Sequence, residues 1–116
     1  MEKLFFALAA SLFAVSSYAQ STDDFDFEND TNGTVIALYV SPHALSRWGH
    51  NVLGQYISSD QNTHVYFPEE PAYDVYDIRV DFPSQKYEFT EGYNLSTISS
   101  FWVTYNGGRI LSLNWK

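Results

Sequence analysis

Ten residues, YDVYDIRVDF at positions 73–82, alternate in character. Tyr76, Ile78, Val80 and Phe82 fall on one side, and Asp77, Arg79 and Asp81 on the other. A period of two is the pleat of a half-buried strand; a helix would return its apolar residues every three or four positions. The same alternation holds at the start, where Phe25 and Phe27 oppose Asp24, Asp26 and Glu28. Residues 34–41, TVIALYVS, are apolar at both parities, which predicts a central strand or one covered on both sides. Pro42 ends it, because proline brings no amide to a ladder. Residues 64–67 predict a short strand stopped by Pro68, with PEEP as a rigid exposed link. Residues 86–90 return the chain after Pro83-Ser84-Gln85, Glu91-Gly92 breaks it, and residues 93–99 read as another strand.

The last two strands flank Asn106-Gly107-Gly108. Phe101, Val103 and Tyr105 share one face, as do Leu111, Leu113 and Trp115. A two-residue loop would put these sets on opposite sides. A three-residue loop, with Gly108 at a left-handed bulge position, pairs Val103 with Leu111 and Phe101 with Leu113.

About seven or eight such strands, with no sustained helical period, predict an all-β fold: a small antiparallel β-sandwich over residues 25–116. A small barrel is the alternative. Residues 1–19 carry a lysine, a short apolar run and the small-x-small triplet Ser17-Tyr18-Ala19, the pattern of a cleaved export signal. Residues 20–24 are expected to be a flexible leader. The chain has no cysteine, so it must fold on packing alone; an aromatic content of 18% makes that feasible.

The net charge of −8 repels phosphate backbones, which argues against nucleic acid and anionic membranes as partners. A cationic protein or a small molecule is the expected partner class, and no cofactor is expected. No apolar segment reaches the roughly 20 residues a membrane span needs. Oligomeric state is not legible.

His43, His50 and His64 do not have the spacing of a zinc site. Ser41, Ser46 and His43 lie close together, yet no Gly-x-Ser-x-Gly elbow accompanies them. Asp26, Glu28 and Asp30 are candidate calcium ligands, although the glycine and closing glutamate of a calcium loop are missing. Asp77, Arg79 and Asp81 form a charge row that is either a solvated face or a contact surface. Asn29, Asn32 and Asn94 each match a glycosylation sequon.

The stretch YVSPHALSRWGHNVLG at residues 39–54 interrupts the strands. Asn51 suits the N-cap of one short helical turn, with Trp48, Val52 and Leu53 as an apolar lid over one end of the sandwich. Gly49 and Gly54 would supply unusual backbone angles. The competing reading is a ligand or partner site in which Trp48 stacks and Arg47, His50 or Asn51 supplies polarity.

Three segments in order, FDFENDTNGTVIALYVSP, WGHNVLG and VYDIRVDF, resemble a family of small exported bacterial β-rich proteins of unknown function. The resemblance rests on Phe27, Asn29, Thr31, Ile36, residues 38–42, Trp48, Gly49, Asn51, Leu53 and residues 76–79. Many members carry two cysteines, one just before the Tyr-Asp-Ile-Arg segment and one in a later strand; this chain has neither. Some members bear an argininosuccinate lyase label. That enzyme is a large helical tetramer, which a β-rich chain of this length cannot build.

The expected protein is therefore an exported, periplasmic binding or interaction module without catalytic activity. The alternative is an inhibitor or immunity-type protein capping a periplasmic enzyme, or a calcium-assisted binding domain.

Overall fold

The structure, a computed structural model, describes residues 23–67, 73–106 and 110–116. The expected export signal, most of the leader, the PEEP link and the turn between the last two strands lie outside them. Seven strands form two sheets: β1 (Phe25–Asn29), β2 (Ala37–Pro42), β3 (Asn62–Val65), β4 (Val75–Phe82), β5 (Gln85–Asn94), β6 (Ser100–Asn106) and β7 (Ile110–Trp115). One sheet has the order β3-β1-β6-β7 and the other β2-β4-β5. This is the expected all-β sandwich rather than a closed barrel. Among the described residues, the departure from an antiparallel design is β1, which runs parallel to β6 with Phe27 beside Phe101. Among the described residues no helix is long and apolar enough to cross a membrane.

The alternating strands place their apolar sets between the sheets. Phe25, Phe27, Phe101, Val103, Leu111 and Leu113 come from one side; Leu38, Val40, Tyr76, Ile78, Val80 and Phe82 come from the other. Phe25 and Phe101 meet edge to face at 5.2 Å, and Tyr93 meets Phe101 at 5.8 Å in the same way. Each such buried ring stabilises the fold by roughly 1.5–3 kcal/mol, which is how the chain dispenses with disulfides.

Four expectations are narrowed or corrected. First, of the two readings of residues 34–41 the second holds: β2 is an edge strand covered on both sides, and β4 is the centre of its sheet. The segment that follows β2 closes part of its open edge, as described below. Second, Glu91-Gly92 does not end a strand, because β5 continues to Asn94 and only then enters a 3-10 turn at Leu95–Thr97. The register shifts between Tyr76, opposite Tyr93, and Ile78, opposite Phe89, so the extra residues form a bulge. Gly92 sits in it at φ 88°, and a β-carbon there would come within 2.6 Å of Val75 Cγ1. Third, β6 and β7 do share a face, but Val103 pairs with Leu113 and Tyr105 with Leu111, two residues from the expected register. Fourth, Gly49 and Gly54 are not at positive φ; among the described glycines Gly92 is.

Gly92→Ala should therefore destabilise the protein by about 2 kcal/mol or more, since both the left-handed backbone and the contact with Val75 oppose a side chain. Urea denaturation measures this. Tyr93 supplies a pH-dependent check. Burial first, then the negative charges of Glu91 and Asp77, push its phenol above the ordinary value of 10.0. The folded chain thus holds this proton longer than the unfolded chain. Stability from this source is complete below pH 10.0 and falls as pH rises toward the folded value. Tyr93→Phe should flatten that alkaline limb in denaturation midpoints taken from pH 8 to about pH 11.

Candidate functional site

Edge strand β2 would leave backbone groups open along one side. The segment after it closes those of Leu38. Leu38 N–H donates to Asn51 Oδ1 at 2.9 Å, and Val52 N–H donates to Leu38 O at 2.8 Å. Just before β2, Val35 and Ile57 exchange both backbone bonds, at 3.0 and 2.9 Å. Gly49 N–H donates to Ser41 Oγ at 2.9 Å. Residues 43–57 therefore act as a surrogate neighbour for β2, one of the ways sheet edges are protected. Asn51 does not start a helical turn. Its Oδ1 also accepts from Leu53 N–H at 3.0 Å, holding the local bend while it satisfies Leu38. Val52 and Leu53 pack against the core as expected; Trp48 is half-buried and stands outside that cluster.

The far end of this segment is anchored by Asn29, which is fully buried. Its side-chain amide donates to Gly33 O at 2.8 Å and Ile57 O at 2.9 Å, while Oδ1 accepts from Thr31 N–H and the Thr31 hydroxyl. The Asn29 sequon is thus a structural turn that no glycosyl group reaches in the fold. Asn94 likewise caps the 3-10 turn through Ser96 N–H at 3.1 Å.

The covering segment divides the surface into two clefts. The larger, of about 710 Å³, lies on the side of Tyr66, Phe67 and Tyr73. Leu45, Val52 and Val40 extend its apolar wall, and Arg47 and His50 supply its polar groups together with Ser41. The smaller, of about 200 Å³, lies over the outer face of the β2-β4-β5 sheet and gathers Ser46, Arg47, Trp48, Asp77, Glu88 and Thr90. Arg47 borders both. Three of the residues singled out in the sequence, Arg47, Trp48 and Asp77, do converge, and His50 joins Arg47 on the other side. Tyr66, Phe67 and Tyr73 were missed. Their only signal was aromatic residues flanking the PEEP link.

The charge row on β4 is neither solvated nor free. Asp77 and Asp81 are 9% and 6% exposed. Asp77 Oδ1 accepts from His43 Nδ1 at 2.7 Å. Arg79 clamps Asp81 with two bonds, Nε to Oδ1 at 2.8 Å and a terminal nitrogen to Oδ2 at 2.9 Å, and its guanidinium lies 4.6 Å above the Tyr39 ring. The hydrogen bond to Asp81 raises the Arg79 pKa above its ordinary value despite partial desolvation. Arg79 and Asp81 are consumed by each other, so the row is not a ready contact for a cationic partner.

The calcium candidates fare no better as a cluster. Asp26 is held 2.7 Å from His64 Nδ1, its cross-strand partner. Asp26, Glu28 and Asp30 line one shallow hollow with Lys116, but among the described residues no three histidine or carboxylate groups converge to hold a metal. The histidines separate in the same way, His43 to Asp77 and His64 to Asp26. Asp77 orients His43 as an acid orients a catalytic base. Among the described residues no serine hydroxyl bonds to that ring, and Ser41 Oγ instead accepts from Gly49 N–H.

No family model, no curated protein and no solved structure matches this chain.

Asn51→Ala should cost about 1–3 kcal/mol, the penalty for stranding the Leu38 amide, whereas Asn51→Asp keeps the accepting oxygen and should cost less. Chemical denaturation of the two variants side by side checks the role given to this side chain.

Proposed function

We propose that the protein is an exported, periplasmic binding module without catalytic activity, and that it takes its ligand in the larger cleft beside residues 43–57. The observation that carries this reading is the composition of that cleft: aromatic and aliphatic walls from Tyr66, Phe67, Tyr73, Leu45 and Val52, with Arg47 and His50 as sparse polar groups. Small-molecule sites have this makeup, and their volumes run from about 300 to 1,000 Å³. Tyr66 is 50% exposed, a large apolar surface that a ligand would cover. The leader-like residues 1–19 support export, and the resemblance to small exported bacterial proteins points the same way.

The cleft is built beside a sheet edge at which the Leu38 backbone groups are already satisfied. Its wall can therefore be held in place before a ligand arrives, which lowers the ordering cost of binding. Trp48 borders the smaller cleft and contributes to the loop surface rather than to the core cluster. Trp48→Ala should accordingly leave the fold intact by circular dichroism.

Amide chemical-shift mapping with a fragment library tests the proposal. Bound fragments should perturb residues 47–52 together with Tyr66, Phe67 and Tyr73. Perturbations centred instead on the exposed Ile110 and Trp115, or none across the library, would contradict it.

A further inference from the structure

We infer that the larger cleft takes a small monoanionic molecule with a carboxylate at one end and an apolar body, an inference that rests on the cleft being the binding site proposed above. The starting point is charge. On a chain of net charge −8, an anion is repelled by most of the surface. It settles best where a cation stands outside an ion pair. Arg79 is spent on Asp81. Arg47, by contrast, is exposed and forms no ion pair among the described residues.

The surroundings of Arg47 differ on its two sides. The smaller cleft contains Asp77 and Glu88. In the larger cleft, none of the described lining residues is an aspartate or a glutamate. Among the described residues, an anion entering there meets the guanidinium and His50 without facing a like charge. A carboxylate matches the planar fork of an arginine, which binds it through two parallel hydrogen bonds. One unpaired guanidinium balances one negative charge, so a monoanion fits better than a phosphate dianion on so acidic a protein. Behind the charged end, Leu45, Val52, Phe67 and Tyr73 offer an apolar wall for the rest of the molecule. A cleft of about 710 Å³ suits a small molecule rather than a folded domain.

Isothermal titration of the full chain with three probes of equal length tests this: octanoate, octan-1-ol and octyltrimethylammonium. Octanoate should bind most tightly. R47Q should weaken it about tenfold or more, the loss expected for a charge-assisted pair, and leave octan-1-ol unaffected. R47K should recover part of the loss. Equal binding of octanoate and octan-1-ol, or unchanged octanoate affinity in R47Q, overturns the carboxylate assignment while leaving the cleft a binding site. Preference for the ammonium probe overturns it too, as does no binding of any probe. In that last case the fragment mapping judges separately whether the cleft binds anything.

Discussion

Leu38 lies at the point on which the architecture turns. Its strand, β2, has one strand neighbour, β4, and its opposite flank would otherwise present an open amide and carbonyl. Both are closed by residues that belong to no strand, Asn51 through its side chain and Val52 through its backbone. A side-chain carbonyl here does the work of a peptide carbonyl in the next strand. The covering segment is tied at its other end by the Val35–Ile57 pair, and Ile57 is tied in turn to the buried Asn29. Edge protection and cleft formation are therefore one event. The segment that shields β2 also carries Arg47 and His50 to the mouth of the larger cleft.

How much of this could be read in advance depended on whether the deciding contact was local. Phe25, Phe27 and the β4 residues were assigned to the core by alternation alone, because a half-buried strand writes its orientation into every second position. The same parity rule put the β6 and β7 apolar sets on one face. It could not set their register, since a slide of two residues preserves every face. Residues 34–41 read as central or covered on both sides, because composition reports burial and not the number of strand neighbours. Gly92 was legible as punctuation, but a bulge and a chain break differ only in what the partner strand does opposite them.

The polar residues were harder. Asp77 and Asp81 alternate with apolar residues, and the natural inference was a wet face. Asp81 might have been paired with Arg79 from spacing, since positions two apart on a strand share a face. Asp77 could not, because His43 lies 34 residues away and reaches it only through the β2–β4 register. The Asn29-Asp-Thr31 triplet matched a sequon, yet its spacing also suits an asparagine turn in which the side chain bonds the backbone two residues on. Burial decides between these readings, and burial depends on tertiary structure. Once such internal pairings are removed, Arg47 stands out among the described residues as an arginine outside any ion pair, a property no single stretch of sequence displays.

Amide hydrogen exchange at Leu38 in the unaltered protein tests the edge closure most directly. If Asn51 and Val52 act as a strand would, the Leu38 amide exchanges as slowly as amides in the interior strand β4, such as Ile78. Exchange of Leu38 at the rate of an open sheet edge would show that the segment does not seal β2, and would leave the cleft without its fixed wall.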